Sequence, residues 1–370
     1  MGKGLESLSK VLLVPAHPSE GNASMGRYWC GINEGAEGED RWVIQAASAL
    51  ENGEANRRSG RARRAWSRYV SYPWVISRRA ASVDVVHILD HSSAHLLPRI
   101  DRSTVSVVTV HDLIPLEDFS GMTPGQAQRF RRQMKLLRRA DALIAVSKFT
   151  KREVIRLLGI SGERIHVVPN GGPQVEQLMD RGALLAEGGA VQLLSVGSCL
   201  PRKNLKILPA VIDGLRSRGV NAELIRVGER MPEALRREFP AGSLEERGFL
   251  SDDELEKAYR EIPFVIIPSR AEGFGLPVLE AMARGSVVVA SSSTSLPEAG
   301  GGSALYFHPD SPKEAIRCVE HAMKPEVYAI LQKAGWERAK VFSWKQHWEG
   351  CAKVYKNVLE KRRAICSAEE

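Results

Sequence analysis

Phe264-Val265-Ile266-Ile267-Pro268 runs directly into Ser269-Arg270-Ala271-Glu272-Gly273-Phe274-Gly275-Leu276-Pro277-Val278-Leu279-Glu280-Ala281-Met282-Ala283-Arg284-Gly285. The first five residues are apolar and largely β-branched, as in a strand covered on both faces. Pro277 suits the first turn of a helix and Gly285 its C-terminal cap. The stretch therefore reads as strand, glycine loop and short helix. Such a helix start offers backbone N–H groups and a positive dipole end to an anion. Gly273 and Gly275 let the backbone approach a ligand closely. Glu280 sits one turn into the helix and leans back toward its start, where its carboxylate can accept from the two hydroxyls of a ribose. Glu272 lies on the loop, placed for a second polyol. Two carboxylates around an anion cradle suit a sugar nucleotide. A helix cap flanked by surface acids accounts for the same residues equally well.

The pattern of strand, turn and helix recurs along the chain. Apolar runs fall at 11–15, 41–46, 83–89, 105–110, 142–146 and 165–169, then at 191–196, 222–227, 264–268, 287–290 and 305–307. Alternation with helical stretches predicts an α/β protein with parallel, doubly covered sheets. The rhythm pauses at 170–190, which contains Gly171-Gly172-Pro173 and Gly188-Gly189. With 370 residues and 43% hydrophobic content the chain fills two domains. The expected organisation is an N-terminal domain at 1–175, a linker at 176–190, a second domain at 191–342 and a C-terminal segment at 343–370.

A second cradle follows the run at 191–196. There Gly197-Ser198-Cys199-Leu200-Pro201-Arg202-Lys203-Asn204 leads into a helical stretch at 205–218, with Asn204 as the expected N-cap. Arg202 and Lys203 beside one diphosphate would stabilise a leaving nucleoside diphosphate without a metal. Solvated surface cations are the alternative. His111 ends the run at 105–110, at the carboxyl end of a strand, where open α/β sheets bind ligands.

Other chemistries lack their motifs. The chain has no P-loop, no G-x-G-x-x-G, no H-E-x-x-H, no G-x-S-x-G and no D-x-D metal-diphosphate signature. No metal or other cofactor is expected. The cysteines, Cys30, Cys199, Cys318, Cys351 and Cys366, are odd in number and form no C-x-x-C pair, which favours a reducing cytoplasm. Val11-Leu12-Leu13-Val14 is too short for a signal-peptide core and reads as a first strand.

The net charge is +8 and lies mostly in the first half. Residues 57–79 carry Arg57, Arg58, Arg61, Arg63, Arg64, Arg68, Arg78 and Arg79 with no acid, interleaved with Trp66, Tyr69, Tyr72 and Trp74. Residues 129–139 add Arg129, Arg131, Arg132, Lys135, Arg138 and Arg139. A basic-aromatic loop or amphipathic helix fits the first segment. Together they are candidates for an anionic membrane surface, a peripheral contact at the inner face, or for an ordinary solvated face. No recognition helix or RNA-binding signature accompanies the charge, so no nucleic-acid partner is expected.

Taken together, these stretches resemble glycosyltransferase family 4, the retaining group-1 enzymes of GT-B fold. The resemblance covers nearly the whole chain. Its most specific element is E-x7-E from Glu272 to Glu280, and Pro201-Arg202-Lys203-Asn204 after Val-Gly is the second. Thr109-Val110-His111-Asp112-Leu113, Val146-Ser147-Lys148-Phe149 and Val168-Pro169-Asn170-Gly171 match N-domain landmarks, and Ser24-Met25-Gly26-Arg27-Tyr28 occupies the place of a first glycine loop. Phe342-Ser343-Trp344 resembles the start of the segment that crosses back to the N-domain.

The resemblance implies two Rossmann-like doubly wound domains facing across a cleft, acceptor on the first and nucleotide-sugar on the second. It implies that Glu280 holds the donor ribose and that Lys203 with Arg202 binds the diphosphate. Glu272 with the Gly273-Phe274-Gly275-Leu276 backbone would hold the hexose. His111 would lie beside the reacting carbon and the hydroxyl acceptor, and Gly26 would let backbone approach the diphosphate. His111, Glu272 and Lys203 would carry the chemistry, transfer of a mannosyl or glucosyl unit to a glycan, glycolipid or lipid-linked saccharide. Epimerisation or hydrolysis of the donor, or non-catalytic binding, are the rival activities on this fold. Ser198 stands where many members carry arginine, and Gly26 stands alone where paired glycines are common.

Overall fold

The apolar runs of the first half form β1 (Ser9–Val14), β2 (Trp42–Ala46), β3 (Val85–Ile88), β4 (Val105–Val110), β5 (Ala142–Ala145) and β6 (Ile165–Val167). Those of the second half form β7 (Val191–Gly197), β8 (Ala222–Gly228), β10 (Phe264–Ile267), β11 (Val287–Ser291) and β12 (Leu305–Phe307), joined by β9 (Leu244–Gly248). The computed structural model describes residues 8–17, 23–46, 60–118, 122–175, 177–178 and 190–369. The chain divides into two units, Met1–Gly171 with Trp344–Glu370, and Gly172–Ser343. The change of unit falls at Gly171/Gly172 and Ser343/Trp344. Of the stretch 176–190, read as a linker, only 177, 178 and 190 are among the described residues.

Each unit is built on one six-stranded parallel sheet, ordered β2-β1-β3-β4-β5-β6 in the first and β12-β11-β10-β7-β8-β9 in the second. Strands β3, β4, β5 and β10 are buried at every position, as helices on both faces require. Strand order reverses between β1 and β3 in one unit and between β7 and β10 in the other. At such a reversal the connections leave in opposite directions and a crevice opens beyond the carboxyl ends.

Strand β9 carries no apolar run in the sequence. It reads Leu-Glu-Glu-Arg-Gly, pairs among the described residues only with β8 and sits at the sheet edge, where charged side chains are tolerated.

The helix Trp344–Glu369 belongs to the first unit, although it follows the second in sequence. Three glycines make room for its first residue. A Cβ at Gly31 or Gly171 would overlap the Trp344 indole, and one at Gly35 would overlap the Trp344 carbonyl. Trp348, Cys351 and Tyr355 then pack among Tyr28, Ile32, Val107 and Ile144 beneath the sheet.

A buried polar chain threads this packing. Tyr355 OH lies 2.6 Å from His87 Nδ1, and His87 Nε2 lies 2.8 Å from Thr109 Oγ1. Thr109 Oγ1 is 3.2 Å from Tyr28 OH, which is 2.8 Å from His347 Nε2. His347 Nδ1 is 2.7 Å from the Pro169 carbonyl. The carbonyl can only accept, so His347 Nδ1 carries a proton and Nε2 accepts from Tyr28. Read backward, every donor is assigned: Thr109 donates to Tyr28, His87 Nε2 to Thr109, and Tyr355 to His87 Nδ1. Both imidazoles are neutral in this arrangement. Burial holds His347 down at about 4 and His87 well below its usual value.

Two outcomes follow for stability. Unfolded histidines bind a proton near pH 6.5, whereas His87 and His347 in the folded chain do not. Below that pH the unfolded state holds more protons, so stability present above about pH 6.5 is lost as pH falls toward about 4. Melting followed from pH 7.5 to 5 should show a falling midpoint, with each histidine removing up to about 1.4 kcal/mol per pH unit. A flat midpoint across that range contradicts the assignment. Separately, alanine inside a helix normally stabilises it by up to ~1 kcal/mol relative to glycine. Gly31→Ala should do the reverse and cost about 1–3 kcal/mol by overpacking. Gly26→Ala, with open space around the same helix, should be neutral or stabilising. Thermal unfolding of the two variants compares them directly.

Candidate functional site

The carboxyl ends of β7 and β10 are neighbours in the second sheet. After β7 the chain turns at Gly197, with φ +130°, and passes through a 3-10 turn at Pro201–Lys203. A further 3-10 turn at Leu205–Ile207 precedes the α-helix Leu208–Arg216. This corrects the expected N-cap. Asn204 is left-handed with φ +54° and caps no helix with its side chain. Its amide nitrogen instead donates to the carbonyls of Pro268 at 3.0 Å and Pro309 at 2.7 Å, tying the β7 loop to those after β10 and β12. Arg202 and Lys203 therefore sit in a tight turn that precedes the helix Leu208–Arg216.

After β10 comes the loop to Gly275, with φ +106°, and then the helix Leu276–Ala283 with Pro277 in its first turn. A single carboxylate joins the two loops. Glu272 Oε1 accepts from Lys203 Nζ at 2.7 Å and Oε2 from Arg202 at 3.1 Å. Arg202 also donates to the Ala271 carbonyl at 3.1 Å. Glu272 is only 8% exposed. Burial alone would raise its carboxyl. The charges of Lys203 and Arg202, with a Ser269 hydroxyl bond, outweigh burial and hold it below the usual range.

Glu280 is half-buried on the following helix and accepts from the Tyr259 hydroxyl at 2.9 Å. Tyr259, on the helix Asp252–Glu261, has no counterpart in the sequence reading. Phe274 is buried with its ring edge-on to Phe342 at 5.8 Å. Its side chain is part of the packing, so Gly273, Phe274, Gly275 and Leu276 can offer a ligand mainly backbone.

The other expected residues lie in the first unit. His111 follows β4 and donates from Nε2 to the Leu89 carbonyl at 2.8 Å. Its ring stands edge-on to Tyr28 with centroids 4.6 Å apart. Burial keeps the imidazole below its usual range while Asp90 pulls the other way. A neutral ring donating from Nε2 keeps Nδ1 as an acceptor. Asp90 Oδ1 and His91 Nδ1, 3.3 Å apart, join His111 from just after β3, where His91 Nδ1 accepts from the His111 N–H at 3.4 Å. The sequence singled out neither, because a lone Asp-His after a strand has no spacing signature. Gly26 corrects a second expectation. It is an exposed residue of the helix Ala23–Gly35, not part of a glycine loop. Residues 18–22 lie outside those described.

The basic segment is helical from Arg61 to Ala80, with a π-turn at Ser67–Ser71. Its aromatics divide. Tyr72 is buried and donates to the Pro15 carbonyl at 2.9 Å, so it belongs to the core. Trp66, Val70 and Trp74 are 61%, 51% and 56% exposed. Arg78 lies over the Trp74 ring at 4.0 Å. Arg129, on the helix Pro124–Leu136, lies 5.8 Å from the Tyr69 ring, bringing the second basic segment beside the first. Arg57, Arg58 and the side chains of Arg61 and Arg64 lie outside the described residues.

Residues 39–172 match Glycosyltransferase Family 4, and residues 190–324 match Glycosyl transferases group 1. A serotype-specific mannosyltransferase, WbdA of Escherichia coli, is 30% identical over 297 residues. That match takes in 70% of this chain and 35% of the relative, so the chain spans about a third of the relative's length. Among solved structures, the sucrose-phosphate synthase of Thermosynechococcus elongatus superposes with a TM-score of 0.75 at 18% identity, covering 95% of this chain and all of that one. HepE of Anabaena, in complex with UDP and glucose, superposes at 0.70 and 18% identity, covering 94% of this chain and all of that one. The fold is that of the GT-B glycosyltransferases.

Proposed function

Because this chain belongs to glycosyltransferase family 4, we propose that it moves a hexosyl unit, mannosyl or glucosyl, from a nucleoside-diphosphate sugar to a hydroxyl acceptor. Configuration would be retained and no metal would be required. The observation that carries the reading is the trio at the carboxyl ends of β7 and β10. One buried carboxylate holds two cations, which leaves a net positive charge for a diphosphate. The mannosyltransferase relative and the fold shared with a protein bound to UDP and glucose support the donor class.

In this scheme the bond between the anomeric carbon and a diphosphate oxygen breaks as the acceptor oxygen attacks from the same face. The acceptor's proton passes to the departing diphosphate. Lys203 and Arg202 stabilise the charge that grows there. Glu272, kept ionised by the same cations, accepts from sugar hydroxyls. Glu280 accepts from the ribose, with Tyr259 orienting its carboxylate. His111, neutral, offers Nδ1 to a hydroxyl on the acceptor side.

The acceptor is proposed to be a glycan or lipid-linked saccharide reached at an anionic membrane surface. Trp66, Val70 and Trp74 recur every fourth residue, flanked in sequence by Arg63, Arg78 and Arg79, with Arg129 of the second basic segment over the neighbouring Tyr69 ring. Interfacial aromatics and clustered arginines are the composition that anionic lipid attracts. Among the described residues no helix is long and apolar enough to cross a membrane.

A melting screen of UDP-glucose, GDP-mannose and the free diphosphates should find a stabilising ligand. For that ligand, Glu280→Ala should weaken the ribose diphosphate by ~1.5–3 kcal/mol while sparing its 2′-deoxy analogue. Equal losses for both would remove the ribose assignment, and release of free sugar without acceptor would favour a hydrolase. Sedimentation should show binding to anionic but not neutral vesicles, weakened by salt and by Trp66→Ser with Trp74→Ser. Equal recovery with both vesicle types, or none with either, would make this an ordinary solvated face.

A further inference from the structure

Among the described residues, Asn204 and Thr294 alone combine a side chain with positive φ, +54° in each case. Asparagine tolerates that region. A β-branched threonine does not, and it persists there only when its surroundings hold it. The surroundings are the backbone of Glu272. Thr294 Oγ1 accepts from the Glu272 N–H at 3.0 Å and lies 3.1 Å from the Glu272 carbonyl, to which it donates. One hydroxyl thus uses both its capacities on the two backbone groups of a single residue. The neighbouring Ser295, fully buried, donates to the same carbonyl at 2.7 Å. Upstream, Ser291 donates to the Ser269 carbonyl. The end of β11 and the loop after it therefore grip the loop after β10 at Ser269 and at Glu272.

We propose that Thr294 is a positioning residue whose strained backbone is retained so that its hydroxyl can clamp Glu272. With N–H and C=O both fixed, the direction of the Glu272 Cα–Cβ bond is fixed. The carboxylate then reaches Lys203 at 2.7 Å and Arg202 at 3.1 Å from a preset origin. Shape alone does not explain the choice of residue, since glycine would occupy this conformation without strain. The catalytic part of this inference rests on the proposed donor-binding role of Glu272; the clamp itself does not.

Thr294→Gly, Thr294→Ser and Thr294→Val separate strain from hydroxyl. Thr294→Gly relieves the strain but leaves the Glu272 N–H without its partner, so it should melt above Thr294→Val, which keeps the strain, and lower kcat for release of nucleoside diphosphate from UDP-glucose or GDP-mannose by about tenfold or more. Thr294→Ser should keep kcat within about threefold of the parent, since the hydroxyl remains. Thr294→Val should be slow without any gain in melting temperature. A purely structural residue would give activity that follows stability, so a Thr294→Gly variant at least as active as the parent overturns positioning. Hydrogen exchange at the Glu272 amide reads the clamp without any turnover. Protection should fall in Thr294→Gly and hold in Thr294→Ser, and unchanged protection in the glycine variant overturns the clamp. If the parent protein turns over neither donor, the proposed function fails instead, and the exchange result still decides the clamp.

Discussion

A carboxylate with little access to water, gripped by two cations from a different loop, is the constraint on which the second unit's site depends. Burying Glu272 unpaired would drive it to take up a proton. Lys203 and Arg202 prevent that, and in turn Glu272 prevents the two cations from repelling each other into solvent. Buried ion pairs contribute little net stability because desolvation offsets attraction. What such a group does provide is geometry. Here it locks the loop after β7 to the loop after β10, while Asn204 ties both to the loop after β12. The strained Thr294 extends the same logic to the loop after β11. Four connections at one end of the sheet are thereby held by polar side chains, each bonded to a backbone group or an opposite charge.

The first unit solves a different problem. Its sheet must accept a helix contributed from the far end of the chain. Trp344 enters through space left by Gly31, Gly35 and Gly171. The helix then contributes His347 and Tyr355 to a chain of bonds through Tyr28, Thr109 and His87. Every member is buried, so every bond counts, and the terminal carbonyl of Pro169 sets the direction of all the others. The result is a core built to keep imidazoles neutral. His111 stands edge-on against Tyr28, a member of that chain, and is held by the Leu89 carbonyl.

Strand runs, the alternation that makes both sheets parallel, and the paired glutamates were legible in the sequence because each depends on local pattern. A doubly covered strand must be apolar over several consecutive residues, and a helix start needs proline, glycine and caps at short spacing. Strand β9 escaped because an edge strand has no second neighbour to exclude water from its charges. Asn204 and Gly26 were misread for the opposite reason. Each has the local signature of one conformation, a helix cap or a flexible loop, and distant partners or helix propagation imposed another.

The amino-acid order by itself determined the α/β class, the family motifs and which charged residues were candidates for chemistry. The tertiary structure alone decided which of them meet. Arg202 and Lys203 are separated from Glu272 by about seventy residues, and Thr294 by more than twenty. Only the reversal of strand order between β7 and β10 brings the first pair of loops together, and only the adjacent β11 delivers Thr294. A hydrogen bond depends on a separation of about three ångströms, and no spacing along the chain encodes that across such distances.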